Sequence, residues 1–173
     1  MTTKALLLFL AIFTINLWAV TIKEIPKNVI IQGENGGLAS SGAAWDSSTI
    51  KNKVYVMFYI DPDEKDTNVH FSNKLNEKKY NKSNYGNIAI VNLAATWKPN
   101  LIIETLLKSK QEEFPDTIYV KDKKSILVKE WGLKDDASNI LIFSKDSKLL
   151  FYKSGKMSED DIKKAFNIIE ENL

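Results

Sequence analysis

An unbroken run of seven apolar residues, from Val54 to Ile60, constrains the fold of this chain more than any other sequence feature. The run is rich in β-branched and aromatic residues, which suit the pleated surface of a sheet, so it predicts a strand. A strand without polar alternation is covered on both faces, as at the centre of a parallel or mixed sheet. A sheet of this kind needs helices on both sides, so the run predicts an α/β fold.

The segments after this strand alternate between helix and strand patterns. Phe71 and Leu75 lie four residues apart and share one face of a helix. The final helix is expected to begin at Ser158, with Asp161 completing a capping box. Further strands are predicted at 87–95, 117–120, 139–144 and 148–153, and further helices after Pro99 and over 125–133. Parallel strands joined by helices and followed by an antiparallel pair predict a mixed sheet in a single domain, residues 20–173.

An N-terminal β-hairpin is predicted before the central strand. Val29–Ile31 is strand-like, and the Asn35-Gly36 pair that follows is a strong hairpin-turn pattern, since both residues tolerate positive φ. A glycine-rich phosphate loop is the alternative, but the GxxxxGK[ST] spacing is missing.

Residues 1–19 have the pattern of a secretory signal peptide. Lys4 precedes an apolar run from Ala5 to Ile15, and Ala19 is a small residue at the predicted cleavage point. The run is short for a membrane span, which needs about 20 apolar residues. We therefore expect a periplasmic or secreted protein. A retained membrane anchor is the alternative, and membrane contact is expected only through an uncleaved signal segment.

Composition excludes several classes of function. The 173 residues include no Cys, which excludes disulfides, thiolate metal sites and thiol catalysis. The single histidine, His70, excludes the usual His-based zinc sites and is expected to be a surface or packing residue. Every basic residue is Lys, and without the planar fork of Arg no nucleic-acid partner is expected. No cofactor is predicted.

Four carboxylates form the only dense chemical cluster in the sequence, directly after the central strand: Asp61, Asp63, Glu64 and Asp66. The simplest interpretation is capping of the following helix, whose N-terminal dipole favours negative charge. A Ca²⁺ or Mg²⁺ site on Asp61, Asp63 and Asp66 is an alternative, although the spacing does not match an EF-hand loop. Paired acid–base catalysis is a further alternative, for which no burial is evident.

From Phe114 onward the chain resembles the C-terminal part of thioredoxin-like proteins of the peroxiredoxin and thiol-reductase type. More narrowly, it resembles the YtfJ-type family of small exported bacterial proteins. The resemblance implies a thioredoxin-like mixed sheet with helices on both faces. The segments that carry it are Phe114-Pro115, Val120 to Asp122, Val128 to Leu133, Ile140 to Phe143, Lys145-Asp146 and Ser158 to Leu173.

The chain departs from the redox pattern of that fold at two places. Asp63-Glu64-Lys65-Asp66 stands where thioredoxins have Cys-x-x-Cys, and Ser138-Asn139 stands where they have a cis-proline. Disulfide exchange requires a thiolate, so the resemblance does not extend to a thiol oxidoreductase or peroxidase.

These patterns together favour a non-catalytic module that binds a protein or peptide partner in the cell envelope. The fold implied by the resemblance brings the 61–66 turn next to the 137–139 loop, so the expected binding groove includes Asp63, Asp66, Ser138 and Asn139. A divalent-cation-dependent protein or enzyme using the acidic turn is the alternative. A structural envelope protein without a defined groove is a third possibility.

Overall fold

The computed structural model describes residues 19–96 and 99–173, which form a six-stranded mixed sheet with helices and a small two-stranded sheet. The strands are β1 (Ile30–Ile31), β2 (Gly36–Leu38), β3 (Trp45–Asp46), β4 (Val54–Ile60), β5 (Tyr85–Asn92), β6 (Thr117–Asp122), β7 (Ser138–Phe143) and β8 (Leu149–Ser154). The α-helices are α1 (Val69–Glu77), α2 (Asn100–Glu113), α3 (Ile126–Trp131) and α4 (Glu159–Asn172).

The predicted central strand, β4, lies inside the large sheet. The strand order is β2-β6-β5-β4-β7-β8, with β4 parallel to β5 and antiparallel to β7. Its bounds match the apolar run of the sequence. Val54 and Val56 pack on one face of the sheet, whereas Met57 and Tyr59 pack on the other. The absence of polar alternation therefore reflects two covered faces, as predicted.

Helices cover both faces of the sheet, which confirms the α/β class. On the face of Val56, α1 contributes Phe71, and α4 contributes Ile162, Ala165 and Ile169. Ile103 and Leu107 of α2 pack against Tyr119 of β6 on this same side. The opposite face is covered by Leu127 and Trp131 of α3 and by the segment around Trp45.

Helix α4 begins as the sequence predicts. Ser158 is its N-cap and accepts a hydrogen bond from the Asp161 backbone N–H at 3.1 Å. The Asp161 carboxylate in turn accepts the Ser158 N–H at 2.9 Å. This reciprocal arrangement is a capping box, which satisfies two N–H groups that the helix itself leaves unbonded.

The prediction of a hairpin at Asn35-Gly36 is wrong. The segments flanking this pair belong to different sheets, since β1 pairs with β3 and β2 pairs with β6. The glycine is needed for a close strand contact rather than for a hairpin turn. Gly36 has φ +125°, and an added Cβ would lie 1.8 Å from the carbonyl oxygen of Lys121.

We expect Gly36→Ala to lower the free energy of unfolding by about 2–3 kcal/mol, because the new methyl group adds a steric clash to a strained backbone. Gly42→Ala is the matched control, since Gly42 also has positive φ but open space around its missing Cβ. That variant should lose about 1 kcal/mol. Urea denaturation measures both, and equal losses would show that the approach of β2 to β6 contributes nothing.

The predicted signal peptide, residues 1–19, lies outside the described residues except for Ala19. None of the helices formed within 19–96 and 99–173 combines the length and the apolar character that a membrane crossing requires.

Candidate functional site

The acidic turn follows β4 at the carboxyl edge of the sheet and is shaped by Asp61 and Pro62. The turn contains a short 3₁₀ helix, Pro62–Glu64, and Asp61 is its N-cap. The Asp61 Oδ1 accepts the Asp63 backbone N–H at 2.8 Å. Asp61 is only 4% exposed, so its side chain stabilises the turn rather than projecting into solvent. Asp61 therefore caps this 3₁₀ helix and not α1, whose N-cap is Asn68 and whose first turn contains no acidic residue.

The other carboxylates of the turn contact separate partners. Asp63 accepts the Thr96 hydroxyl at 3.1 Å, and Glu64 accepts the Thr67 hydroxyl at 2.5 Å. The Asp66 carboxylate forms an exposed ion pair with Lys65 at 2.6 Å. Over the described parts of the chain, no group of three or more acidic or histidine side chains is arranged to hold a metal ion. The geometry thus does not favour the predicted cation site on Asp61, Asp63 and Asp66.

The acidic turn lies beside the loop that precedes β7, as the thioredoxin-like resemblance implies. The Asp61 backbone N–H donates to the carbonyl of Ala137 at 3.2 Å. Ile60 and Ser138 are direct neighbours across the β4–β7 pairing. The two segments of the expected groove are thus brought together.

Ser138 and Asn139, however, do not line an open groove. Ser138 is 2% exposed and Asn139 is fully buried. The Asn139 Nδ2 donates to the carbonyl of Lys134 at 2.9 Å, and its Oδ1 accepts the Tyr152 hydroxyl at 3.0 Å. Both residues therefore satisfy polar groups inside the protein. The sequence-based prediction that these two side chains line a binding groove is therefore corrected: both are buried.

Asn68, the residue before α1, holds the carboxyl edge together and was not identified from the sequence. Its Nδ2 donates to the Ser138 hydroxyl at 2.9 Å and to the Gly155 carbonyl at 3.0 Å. Its Oδ1 accepts the Met157 backbone N–H at 2.9 Å. One buried amide thus joins the start of α1 to β7 and to the loop before α4. His70 is half-buried nearby, with Nε2 3.1 Å from the Met157 carbonyl oxygen.

A second buried carboxylate, Asp122, lies at the end of β6. It is fully buried and accepts the backbone N–H groups of Lys124, Ile126 and Leu127 at 3.2, 2.9 and 3.1 Å. The Tyr59 hydroxyl donates to it at 3.2 Å. Burial and the neighbouring Asp122 charge raise the pKa of Tyr59. The sequence pattern that could have identified this role is an acidic residue, Asp122, four positions before the apolar segment of α3.

Helix α2 carries an exposed apolar surface. Leu101, Ile102 and Leu106 of α2 are 75%, 52% and 51% exposed. Thr96, four residues before α2 begins, donates to Asp63, so the N-terminal end of α2 lies at the same edge of the sheet. The acidic turn and the N-terminal end of this apolar helix therefore lie at the same edge of the sheet.

We expect Asp61→Asn to stabilise the protein at neutral pH, by up to about 1 kcal/mol after allowance for solvent screening. Burial raises the pKa of Asp61 above 3.8, and the charges of Asp63, Asp136 and Glu64 add to this effect. A raised pKa means that ionisation opposes folding. The destabilisation caused by ionised Asp61 is absent when the pH is below the pKa of Asp61 in the unfolded state. It reaches its full size when the pH is above the pKa of Asp61 in the folded state.

The advantage of Asn over Asp at position 61 should therefore disappear as the pH falls below about 4. Urea denaturation of both proteins between pH 3 and pH 8 measures it. A variant that is less stable than the original protein at pH 7 would contradict the assignment.

The fold is similar to that of solved thioredoxin-like proteins. A putative thioredoxin from Neisseria meningitidis matches with a TM-score of 0.60 and 11% identity, over 85% of this chain and 90% of that one. A putative thiol:disulfide interchange protein DsbE from Chlorobium tepidum matches with a TM-score of 0.60 and 12% identity, over 90% and 100%. A peroxiredoxin-like protein from Aquifex aeolicus matches with a TM-score of 0.61 and 10% identity, over 90% of this chain and 89% of that one. At these identities the similarity establishes the thioredoxin-like fold alone.

Two curated relatives are uncharacterised proteins. One from Haemophilus influenzae is 25% identical over 167 residues, covering 91% of each chain. Another, protein YtfJ from Escherichia coli, is 20% identical over 132 residues, covering 75% of this chain and 72% of its own length. A family model described as "Bacterial protein of unknown function (YtfJ_HI0045)" matches residues 25–172. The chain therefore belongs to this YtfJ family of bacterial proteins and has a thioredoxin-like fold without cysteine.

Proposed function

We propose that this protein is an exported, non-catalytic module that binds a segment of another cell-envelope protein at the carboxyl edge of its sheet. The partner segment carries apolar residues next to basic ones. The observation that carries the proposal is that the exposed apolar side of α2 and the exposed carboxylates of the acidic turn lie at the same edge of the sheet. We call this combination the edge surface, and its residues are Asp63, Asp66, Leu101, Ile102 and Leu106.

The apolar part of the edge surface supports protein binding. Isolated exposed apolar side chains are common, but Leu101, Ile102 and Leu106 share one side of α2. Ile103 and Leu107, on the other side of the helix, are buried against the sheet. Helix α2 is therefore apolar on both sides, although only one side is used by the fold. Covering the second side would remove apolar area from water, which favours association.

The acidic part of the edge surface supports a basic partner. The Asp63 and Asp66 side chains are exposed, and Asp61 lies beneath them with a raised pKa. A basic partner segment would add Coulombic attraction to these exposed carboxylates. Opposite charges across an interface also speed association and select the partner.

The lack of thiol chemistry and the expected export of the protein are both consistent with this role. The chain carries the fold of redox proteins but has no Cys with which to exchange a disulfide. A secretory signal pattern at residues 1–19 supports delivery to the periplasm or beyond. The module would thus act by holding its partner rather than by transforming it.

Site-specific photocrosslinking in the exported, full-length protein tests the proposal. We expect a benzoylphenylalanine at position 102 to give a discrete adduct with one envelope protein. The same probe at Lys163, exposed on α4, should give none. The Asp63→Lys, Asp66→Lys double variant should reduce the adduct at position 102 at least several-fold.

A matched control separates this local effect from net charge. Glu34→Lys with Asp146→Lys makes the same change in charge at exposed sites elsewhere and should leave the adduct unchanged. Melting temperatures confirm that all variants fold. Equal crosslinking from positions 102 and 163, or a full adduct in the Asp63/Asp66 variant, would exclude the edge surface.

A further inference from the structure

We propose that the protein has a second binding site, for a small planar aromatic anion, at the amino edge of the parallel strands. This site lies at the opposite end of the sheet from the edge surface and does not depend on the proposed partner binding. We call it the amino-edge cleft. It has a volume of about 340 Å³, within the range of small-molecule sites.

The cleft is formed where several elements begin or end. Its floor comes from the first residues of β4, β5 and β6, and its sides come from the C-terminal ends of α1 and α2. The side chains that line the cleft include Lys53, Tyr55, Lys79, Tyr80, Tyr85 and Phe114.

Aromatic rings give the cleft its shape. Tyr80 and Tyr85 have ring centroids 5.1 Å apart, and Tyr85 is buried. The Tyr80 hydroxyl donates to Glu170 at 3.0 Å, which fixes the direction of that ring. Tyr55 packs against Gly86 on the opposite face of the sheet from Tyr80 and Tyr85, where an added Cβ would be 2.5 Å from the Tyr55 Cε1 atom. The half-buried ring of Tyr80, whose direction is fixed, favours a planar ligand that can stack on it.

The charges around the cleft favour an anion. Both lining carboxylates are already neutralised, Glu113 by Lys110 at 2.6 Å and Asp116 by Lys82. Lys53 donates to the carbonyl oxygen of Lys82 at 2.6 Å and has no carboxylate partner among the described residues. Lys79 is exposed and likewise pairs with no described carboxylate. Two lysine charges thus remain for a ligand.

The backbone at Lys79 provides an independent indication. Lys79 has φ +48°, in the left-handed region just after α1, where helices commonly end in glycine. A lysine in this conformation costs stability relative to glycine. Strain of this kind is often retained where a side chain serves a site, and here the side chain lines the cleft. An aromatic carboxylate fits these features, because its ring would stack on Tyr80 and its charge would pair with Lys53 and Lys79.

Calorimetric titration of the full chain with 2-naphthoate tests the proposal. We expect saturable binding of one molecule per chain. Acetate has the charge without the ring, and 2-naphthylmethylamine has the ring with the opposite charge, so neither should bind comparably. Added salt should weaken the binding of 2-naphthoate. Absence of saturable binding, or equal binding of the amine, would overturn the proposal.

Lys79→Gly separates ligand binding from backbone strain. It removes the charge and relieves the left-handed conformation, so affinity should fall roughly fivefold while the melting temperature rises. Lys23→Gly is the matched control, because Lys23 also has positive φ and does not line the cleft. It should leave 2-naphthoate affinity unchanged.

Two further variants locate the site. Combining Lys79→Gly with Lys53→Gln should lower affinity roughly 25-fold if the two charges act independently. The Asp63→Lys, Asp66→Lys variant of the edge surface should bind 2-naphthoate as the original protein does, so the two proposals can fail separately. Unchanged affinity in the Lys53/Lys79 variant would show that 2-naphthoate binds elsewhere and would overturn the assignment.

Discussion

Asp122→Ala should lower the free energy of unfolding by about 3–5 kcal/mol, the largest effect we expect from any polar substitution in this protein. Asp122 accepts N–H groups from Lys124, Ile126 and Leu127 and the hydroxyl of Tyr59, all around a fully buried carboxylate. Alanine leaves these donors without their acceptor, and the Leu127 N–H and the Tyr59 hydroxyl are buried. Each unsatisfied donor costs roughly 1–3 kcal/mol, reduced where water can enter.

Two further variants define this effect. Asp46→Ala removes a comparable cap, since Asp46 accepts the Ser48 N–H at 2.8 Å, but at an exposed position. It should lose much less stability than Asp122→Ala, because water can replace the lost acceptor there. Tyr59→Phe deletes the donor rather than the acceptor and should lose about 1 kcal/mol. Urea denaturation gives all three values. An Asp122→Ala loss no greater than that of Asp46→Ala would show that the carboxylate is not the main support of α3.

Asn68→Ala should lower the free energy of unfolding by about 2–4 kcal/mol, the second largest expected effect. The Asn68 amide bonds Ser138, Gly155 and Met157, which belong to segments distant in sequence. Alanine leaves the Met157 N–H and the Gly155 carbonyl without this partner and also opens a small cavity. The loss should therefore combine unsatisfied polar groups with lost packing.

Asn81→Ala is the control for this substitution. Asn81 also accepts a backbone N–H, that of Ser83 at 2.9 Å, but in an exposed turn. Water can replace the lost acceptor there, so the loss should stay below about 1 kcal/mol. Equal losses from Asn68→Ala and Asn81→Ala in urea denaturation would contradict the structural role of Asn68.

At the carboxyl edge, buried residues and exposed residues have separate roles, in stability and in partner binding. Asn68 and Ser138 lie within the protein and hold the loops in place, whereas Asp63 and Asp66 are exposed above them. Substitutions of the buried pair should act on unfolding. Substitutions of the exposed pair should act on partner capture with little change in stability. Partner-binding measurements on this edge therefore need variants of the exposed residues.

Features that depend on local or strongly periodic patterns were predictable from the amino-acid order alone. The apolar run of β4 specified a strand covered on both faces, because no alternation was present to leave one face in water. The Ser158–Asp161 capping box was predictable because all of its hydrogen bonds lie within four residues. The absence of cysteine excluded thiol chemistry without reference to structure.

The burial of polar residues and the pairing of strands depend instead on contacts between segments that are distant in sequence. Asn35-Gly36 has the pattern of a hairpin, yet Gly36 supports contact with Lys121, more than 80 residues away. Ser138 and Asn139 follow a loop-like segment, yet both are buried by partners such as Asn68 and Tyr152. Local propensity contains no information on such partners, because the hydrogen bonds and burial that fix these residues arise only when distant segments pack together.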